Sequence, residues 1–496
     1  MGVETTISHD KYFVCLYPVA MGLEEGAPLW RQTSATPTLS RSNSSNIKEL
    51  SYLQYLKQKI KPSEGPPYSH VCQVGDPVLR VRAAEVEPGA VLGEEVQRVI
   101  NTLVKVMRKV ECMGLSAPQI GVPMRILAME YPERMLKDIP PTIRQARGLV
   151  PIPLRVFINP QLRICDSRQA VFLEGCESIS GFAACVPRYH SVEIAGLNEK
   201  AEAVTWQVSG WPARIVQHEM DHMDGVLYTD RMDSRTFINV RWEEYQMTSA
   251  TPVLSRARSS DAGFVAYLRH LKRKYMGAKD PPYNHACQVG HPVLRSRAAE
   301  VEPGAVLGEE VQKVISTLVK VMRKRECVGL SAPQIGVPMR IFVAEYTERM
   351  LEQTSPVHRE ACDLAVFPLR VFINPRLRVC DSRTVTLVEA CESIAGFAAS
   401  VPRNLAVEVS GEKTPTWVPC GNALILLDEW SEKEEEWASN ILDNGLNERA
   451  EPVTWQVSGW PARILQHEMD HLDGVLYIDR MDRCTFTNRC WEEHNK

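Results

Sequence analysis

The stretch Gln217-His218-Glu219-Met220-Asp221-His222-Met223-Asp224-Gly225 places two histidines four residues apart, with a glutamate directly after the first. Residues i and i+4 lie on one face of an α-helix, so His218 and His222 can hold one metal ion while Glu219 points toward a metal-bound water. Such a metal lowers the pKa of its water to about 7, and a neighbouring carboxylate can then take and return the proton. The pattern therefore predicts a metal-dependent hydrolase.

An H-E-x-x-H pattern can also arise by chance, or lie on a helix whose histidines are simply exposed. The residues before it argue for a packed helix, because Trp211, Arg214, Ile215 and His218 recur at helical spacing. We therefore expect a helix here, with both histidines on one of its faces.

Composition limits the class of protein. A chain of 496 residues is too long for one ordinary core, so two or more domains are expected. The formal charge of −4 provides no basic surface, so nucleic acid is not expected as a direct partner. No apolar run approaches the roughly 18 residues that span a membrane. The 14 cysteines follow the repeat described below, which favours reduced thiols in a cytosol or organelle matrix over a secreted disulfide scaffold.

The sequence contains one long tandem repeat. The segment 33–37 returns at 248–252, and the same offset of 215 residues relates Gly114 to Gly329 and Cys176 to Cys391. This period is far longer than the roughly 20–50 residues of solenoid units, so each copy is expected to form an independent domain. We predict a leader at 1–64, domain 1 at 65–245, a linker at 246–279 and domain 2 at 280–496.

Two further segments leave alternatives open. Residues 31–61 are rich in Ser, Thr, Arg and Lys, with Glu49 the one acidic residue, which is typical of an organelle transit peptide or of a flexible leader. The second copy is 34 residues longer, and we place the insert at 411–444. It is either a surface loop or a retained non-coding segment, and loops of this length cost little closure entropy.

Hydrophobic periodicity predicts the order of the elements in the first copy. Apolar residues recur at helical spacing over 92–109, and acidic residues stand at the N-terminal end. Short β-branched or alternating segments, broken by Pro and Gly, predict strands at 125–129, 154–165, 170–176, 191–196 and 204–209. The predicted fold class is α+β, with antiparallel sheets packed around the metal-binding helix.

Three motifs occur in a fixed order in this copy: Gly114-Leu115-Ser116-Ala117-Pro118-Gln119, Glu174-Gly175-Cys176-Glu177-Ser178 and Gln217 to His222. Together they resemble the peptide deformylase family, over about 65–245 and again over 280–496. The phrase Glu-Gly-Cys-Glu-Ser, followed by Val186-Pro187-Arg188, resembles the animal mitochondrial branch.

The resemblance implies roles for individual residues. In the first copy Cys176, His218 and His222 would bind the metal, Glu219 would act as general acid and base, and Gln119 with the backbone N–H of Glu177 would stabilise the formyl oxygen. Gly114 and Leu115 would contact substrate. Trp211 and Ile215 lie on the face of the helix that carries His218, where they would either line a methionine pocket or pack in the core.

In the second copy the matching positions are Gln334 and Glu468 for catalysis, Cys391, His467 and His471 for the metal, and Gly329, Leu330, Glu392, Trp460 and Ile464 for substrate. Two departures stand out. Both copies have an acid after the ligand cysteine, where the general family pattern has Leu. Ala390 replaces Gly175, so the second copy cannot use a glycine-only backbone conformation there.

The implied function is removal of the formyl group from the N-terminal formyl-methionine of peptides made in an organelle. Each domain would use one divalent metal ion, and Fe(II), Zn, Co and Ni all suit one thiolate with two imidazoles. The implied location is the mitochondrial matrix, with the cytoplasm as the alternative. The implied partners are formyl-methionyl peptides at the ribosome exit, and a dimer is a further possibility.

Two other functions stay open at this stage. A zinc endopeptidase would usually take its third ligand downstream of the motif helix, where Asp224 and Asp230 follow without a further His-based motif. A non-catalytic deformylase-like scaffold is the alternative for domain 2.

Overall fold

The computed structural model describes residues 65–137, 139, 141–243, 280–354, 356, 359, 364–411, 417–420, 423–426 and 445–494. The predicted leader at 1–64, the predicted linker at 246–279 and most of the predicted insert lie outside the described residues. The eleven cysteines whose side chains the structure describes all carry free thiols. No helix in that part of the chain has both the length and the apolar character needed to cross a membrane.

The first repeat opens with helix α1, Glu94–Val110, close to the predicted 92–109. Glu94 and Glu95 lie in its first turn and Arg108 and Lys109 in its last, where each charge is stabilised by the helix dipole. Its buried side chains recur at three- and four-residue intervals and pack on the sheet. The shorter helices of this repeat are α2, Pro141–Arg147, and α4, Tyr228–Arg231.

The sheet of the first repeat is antiparallel throughout. Its strands lie in chain order, and β6 pairs with β4 beside this path. The strands are β1 Gly114–Ser116, β2 Ile126–Tyr131, β3 Ile152–Gly175, β4 Phe182–Leu197, β5 Ala203–Ser209 and β6 Ile238–Asn239. The fold class is therefore α+β, as predicted.

Some predicted strand boundaries are wrong. The segments predicted at 154–165 and 170–176 form one long strand, β3, and the segment predicted at 191–196 is the second half of β4. The Pro and polar residues that indicated breaks lie at irregularities in the β3–β4 pairing, where the register shifts but the ladder continues. The ladder ends at Gly175, so Cys176 is the first residue beyond the strand.

The metal-motif helix is α3, Trp211–Met223, and it lies against the sheet. It begins after Gly210, which has φ +68°, with Pro212 in its first turn. Nearly all of its side chains are buried, including those of Glu219 and His222. A helix buried on almost every side holds its functional groups in fixed positions.

The second repeat follows the same order of main elements, but its strands are divided among a four-stranded sheet, a five-stranded sheet and a separate two-stranded pair. Its helices are α5 Glu309–Arg325, α6 Glu348–Gln353, α7 Gly459–Leu472 and α8 Trp491–His494. Its strands are β7 Gly329–Ser331, β8 Ile341–Tyr346, β9 Phe367–Ile373, β10 Pro375–Ala390, β11 Phe397–Gly411, β12 Trp417–Cys420, β13 Ala423–Leu426, β14 Gly445–Leu446, β15 Pro452–Val453, β16 Trp455–Ser458 and β17 Thr487–Asn488.

The insert interrupts one strand of the second repeat. In the first repeat Leu197, the last residue of β4, pairs with Ile158. In the second repeat Leu446 pairs with Ile373, while Gly411 ends β11. The additional residues therefore leave the sheet after Gly411 and return at β14. This is the end of the β10–β11 ladder opposite Cys391, because Gly411 pairs with Pro375 and Ala398 with Ala390.

Buried residues of both repeats meet in one hydrophobic cluster, and each repeat also has clusters of its own. Four phenylalanines lie at its centre, with Phe182 packed edge-on against Phe397 at 4.9 Å and Phe237 against Phe486 at 5.8 Å between ring centroids. Within each repeat the two rings stack at 5.1 Å. Buried residues of both repeats belong to this one cluster.

Backbone hydrogen bonds between the repeats are reciprocal. The N–H of Asn239 donates to the carbonyl of Val289 at 2.8 Å, and the N–H of Asn488 donates to the carbonyl of Val74 at 2.7 Å. Since each contact has its counterpart with the repeats exchanged, the repeats are related by an approximate two-fold, as in an isologous dimer. The two repeats, each with core clusters of its own, are thus also packed against each other.

Candidate metal centre

The structure brings the three predicted ligands of the first repeat together. Cys176 follows β3 directly, and His218 and His222 lie on α3. The Sγ of Cys176 is 3.2 Å from the Nε2 of His222, and one ligand atom from each of the three residues lies within 4.8 Å of the others.

The second repeat brings its predicted ligands together in the same way. Cys391, His467 and His471 meet the same 4.8 Å criterion, and Cys391 Sγ is again 3.2 Å from His471 Nε2. The ligand geometry is therefore repeated within the chain.

A buried carboxylate orients the first histidine. The Nδ1 of His218 lies 2.6 Å from Glu174 Oε1, which leaves Nε2 as its ligating atom. The rings of His218 and His222 are 4.9 Å apart and inclined at 79°. Burial lowers the pKa of His222 well below its ordinary value, and the charges of His218 and Arg188 lower it further, so this imidazole is neutral and able to bind a metal.

The donor set fits a divalent transition metal. One thiolate and two imidazole nitrogens are three protein ligands of the kind that Zn, Fe(II), Co and Ni accept. A catalytic site would need a further open position for water. Glu219 directly follows the ligand His218, and its Oε2 is buried and has no hydrogen-bond partner among the described residues.

Glu219 has the environment of a general base. Burial raises its pKa to about 7, an effect that His218 and a hydrogen bond to Ser116 partly oppose. A carboxylate with a pKa near neutrality can both accept and return a proton. Gly114 makes room for it, because a Cβ at this position would lie 2.6 Å from Glu219 Oε1 and 2.7 Å from Ile215 Cγ2.

Gln119 is held with its amide group toward the metal site. Its Oε1 accepts hydrogen bonds from the N–H and the hydroxyl of Ser116, at 2.9 and 3.0 Å. Its Nε2 therefore faces the other way, 3.3 Å from Ser178 Oγ and 3.6 Å from Cys176 Sγ. Gln334 makes the matching contacts in the second repeat.

A cavity of about 50 Å³ opens at the second metal site. Its lining includes the predicted Gly329, Gln334, Cys391, Glu392, Trp460, Ile464, His467 and Glu468. The aliphatic and indole groups of Ile464 and Trp460 form one wall, as a methionine pocket requires. Leu115 and Leu330 are fully buried in the cores of their repeats, so any contact of theirs with substrate would involve the backbone.

Trp211 of the first repeat is less buried than Trp460. Its indole N–H donates to the Sδ of Met113 at 3.4 Å, while Ile215 belongs to the core cluster on that side of the sheet. The positions of Trp211 and Ile215 are therefore compatible both with lining a methionine pocket and with packing in the core.

A buried ion network behind the ligands is the main feature that sequence reasoning missed. Arg188 donates to both oxygens of Glu174, at 3.1 and 2.6 Å, and to Asp221 at 2.5 Å. Arg214 donates to Glu174 at 2.9 Å. Burial raises the pKa of Glu174, but His218 and Arg188 outweigh this and lower it, so the carboxylate remains charged.

The residues of this network can be seen in the sequence, but no sequence pattern connects them. Glu174 and Asp221 lie inside the quoted motifs, and Arg188 follows Val186-Pro187, but nothing in the sequence pairs residues this far apart. Glu389, Arg403, Arg463 and Asp470 repeat the arrangement in the second copy.

Gly175 does not need a glycine-only conformation. It lies outside the left-handed region, and a Cβ there would be 3.3 Å from the carbonyl oxygen of Phe182, a tight contact rather than a collision. The strain that we considered for Ala390 is therefore not a reason for the second site to be impaired.

The acids after the two ligand cysteines have different surroundings. Burial alone raises the pKa of Glu177. Burial also raises the pKa of Glu392, but the charges of Arg325 and Arg489 oppose it, and Arg325 Nε lies 3.9 Å from Glu392 Oε2.

Comparison with known proteins agrees with the repeated site. The family model described as polypeptide deformylase matches residues 68–237, 284–416 and 438–487. Human mitochondrial peptide deformylase is 56% identical over 192 residues, which are 39% of this chain and 79% of that protein. The chloroplastic/mitochondrial peptide deformylase 1A of Arabidopsis thaliana is 38% identical over 218 residues, 44% of this chain and 79% of that protein.

Among solved structures, an actinonin complex of a peptide deformylase from Synechococcus elongatus is similar, with 26% identity and a TM-score of 0.28. The match covers 35% of this chain and 81% of the Synechococcus elongatus chain.

Proposed function

Since the chain belongs to the peptide deformylase family, we propose that each of its two repeats hydrolyses the formyl group from the N-terminal formyl-methionine of nascent peptides and releases formate. One observation carries the proposal for both repeats. In each, a Cys-His-His donor set, a buried glutamate and an oriented glutamine amide lie around one point.

The proposed metal ligands are Cys176, His218 and His222 in the first repeat, and Cys391, His467 and His471 in the second. A divalent cation held there would supply Lewis-acid activation of water and of the formyl carbonyl. The metal bound in the cell depends on metal availability as well as on the ligands, because nitrogen and sulfur ligands accept several divalent metals.

Glu219 would move the proton. Its carboxylate accepts a proton from the attacking water as the new C–O bond forms at the formyl carbon. It then delivers that proton to the amine nitrogen as the C–N bond breaks, so formate leaves and a free N-terminus remains. Glu468, whose pKa burial likewise raises to about 7, would do the same in the second repeat.

Gln119 would stabilise the oxyanion that develops on the formyl oxygen. The amide is neutral, already oriented by Ser116, and desolvated, so it needs no reorganisation during the reaction. The N–H of Glu177, on the turn that follows Cys176, would be the second donor. Loss of one such donor typically lowers kcat about 10²- to 10³-fold.

The apolar wall of Trp460 and Ile464 would receive the methionine side chain, with Trp211 and Ile215 in the first repeat. Gly114 and Gly329 would allow Glu219 and Glu468 to lie close to the chain of the substrate. The metal endopeptidase considered above is not favoured, because the third ligand comes from an upstream strand end and not from a downstream residue.

We propose a mitochondrial location. Relatives from human and Arabidopsis thaliana carry mitochondrial names, and the composition of 31–61 is that of a transit peptide. Import of a fluorescent protein fused to residues 1–64 would test the location, and cytoplasmic fluorescence would favour the alternative.

The activity is tested with the full chain and three variants: Glu219→Ala, Glu468→Ala and both together. Formate release from formyl-Met-Ala-Ser is expected from each single variant and not from the double variant. If Glu219→Ala alone removes all activity, the second repeat is a scaffold. If the unaltered, metal-loaded chain releases no formate, the proposal is wrong.

A further inference from the structure

The two active sites differ in charge at the edge of the site, here called the rim. The rim consists of the acid after the ligand cysteine, Glu177 or Glu392, and the two positions compared next. At two matched positions the first repeat has Val110 and Val240, while the second has Arg325 and Arg489. The metal ligands and catalytic groups are the same in both repeats, and directly after the second position the first repeat has Arg241 where the second has Cys490. The replacement of two valines by two arginines is therefore a concentrated difference, and it lies next to the site.

Both positions are close to the acid that follows the ligand cysteine. Arg325 is the last residue of α5, and its Nε lies 3.9 Å from Glu392 Oε2. The backbone of Arg489 donates to Gly396, just as that of Val240 donates to Gly181, so the two residues occupy equivalent places. The field of Arg489 also reaches Glu392.

Glu392 lies where the cavity meets solvent. It lines the same cavity as Cys391 and Glu468, and its side chain retains 28% exposure beside the 37% of Arg325. The matching Glu177 has no ion-pair partner among the described residues, and Val240, at the position of Arg489, is 40% exposed. Glu177 thus has no arginine paired with it, whereas Glu392 lies near Arg325 and within the field of Arg489.

A peptide substrate has to pass such a rim. Its formyl group must reach the ligands, and its methionine side chain is drawn to the apolar wall of Trp460 and Ile464. Residues after the methionine cannot fit in the remaining space and must leave toward solvent. Any charge on these substrate residues therefore interacts electrostatically with the charged side chains of the rim.

We propose that the two repeats prefer different formyl-methionyl peptides, the first favouring cationic residues after the methionine and the second favouring anionic ones. Val110 and Val240 leave the first rim negative, whereas Arg325 and Arg489 make the second rim net positive. The inference rests on the proposed function and assigns substrate preference within it. A chain with both sites would process a wider range of nascent peptides than either site alone.

The expected size follows from the exposure of the charges. A solvent-exposed charge pair changes an equilibrium about 2- to 5-fold, so two arginines predict about a 4- to 25-fold difference in preference. The effect should shrink at high salt, because exposed charges are screened.

The test uses full-length, metal-loaded chains with one active site each. Glu468→Ala leaves the first site and Glu219→Ala leaves the second. Formate release is measured for formyl-Met-Lys-Ser, formyl-Met-Ala-Ser and formyl-Met-Glu-Ser, and the ratio of kcat/KM for the Lys and Glu peptides is compared. The ratio should be about 4- to 25-fold higher for the first site.

Reciprocal exchanges identify the residues responsible. Val110→Arg with Val240→Arg should move the first site toward the preference of the second, and Arg325→Val with Arg489→Val should do the opposite. Val110→Gln with Val240→Gln adds polar bulk without charge and should leave the ratio unchanged. The difference should fall in 0.5 M KCl.

Equal ratios for both sites, or exchanges that do not move them, would overturn the inference. If the second site releases no formate from any peptide, the arginine exchange in the first site decides alone. If neither site acts on any of the peptides, the proposed function fails instead, so the two failures are distinguishable.

Discussion

The backbone N–H of Asn488, in the second repeat, donates to the carbonyl of Val74, in the first, at 2.7 Å. The N–H of Val74 in turn donates to the carbonyl of Ser178 at 2.8 Å, two residues after the ligand Cys176. The turn that carries the first metal ligand is thus linked to the other repeat through one residue. Val289 links Asn239 to Ser393 in the same way for the second site.

This shared packing predicts that the repeats stay together when the chain is cut. A protease site introduced within 246–279 and cleaved should yield two fragments that sediment as one particle of the original mass. The reason is that separation would expose the Phe182, Phe237, Phe397 and Phe486 cluster to water. Fragments that sediment separately at micromolar concentration would contradict it.

The contacts between the repeats also predict that a substitution in one repeat lowers the activity of the site in the other. The ring of Trp491 lies against Gly75, next to Val74, and the ring of Trp242 lies against Gly290. Trp491→Ala should therefore lower kcat/KM of the first site about 2- to 30-fold, the range for energetic coupling between packed sites. The second site, to whose repeat Trp491 belongs, should change less.

The comparison is made in single-site chains, with Trp242→Ala as the matched variant and the opposite expectation. Trp491→Phe should restore most of the activity, since a ring still covers Gly75. Equal losses at both sites would indicate general destabilisation and no directed link.

Glu219 and Cys176 are predicted to have separable roles. In a chain whose second site is inactivated by Glu468→Ala, Glu219→Ala should keep two metal ions per chain yet lose about 10²- to 10⁴-fold in rate, because the proton acceptor is gone while the ligands remain. Cys176→Ala should lose one metal ion, because a charged, soft ligand is removed. Metal analysis and formate release check both, and full retention of metal by Cys176→Ala would point to a different third ligand.

The ion network behind the ligands gives a prediction about stability and metal binding. Glu174→Gln leaves Arg188 and Arg214 buried without their shared carboxylate, which is expected to cost about 3–5 kcal/mol. It also replaces the charged acceptor that orients His218 by a neutral amide oxygen, which predicts about 10- to 100-fold weaker metal binding. Thermal unfolding and metal competition measure the two effects.

Arg231→Ala is the control, because Arg231 is about half exposed and contacts only Asp221 of this network. It should change the unfolding temperature little. An equally large loss from Arg231→Ala would show that the carboxylate–arginine contact at Glu174 is not special.

The sequence predicted the local parts of the site and not its long-range partners. His218, Glu219 and His222 follow from helical spacing, and α1 followed from its apolar stripe. Glu174, Arg188 and Arg214 were missed because a buried ion cluster joins three elements and has no periodicity. The shared core was missed because the alternation that places Phe182 on a buried face does not say which surface covers it. Strand β3 was divided in two because bulges resemble breaks in sequence.

Two glycines near the site are predicted to differ sharply in their tolerance of a side chain. Gly175→Ala adds a Cβ 3.3 Å from the Phe182 carbonyl at ordinary backbone angles. The second repeat already has Ala390 there, so stability should change by no more than about 0.5 kcal/mol and the rate only slightly.

Gly114→Ala instead places a Cβ 2.6 Å from Glu219 Oε1 and 2.7 Å from Ile215 Cγ2, so the carboxylate must move. Displacing a catalytic group by about 1 Å costs about 10²-fold in rate. We expect that loss in a chain carrying Glu468→Ala, with metal content unchanged because no ligand is touched. Both glycine variants are compared in that background by formate release and metal analysis. Full activity in Gly114→Ala would show that Glu219 can work from a second position, whereas a large loss in Gly175→Ala would restore the case that Ala390 impairs the second site.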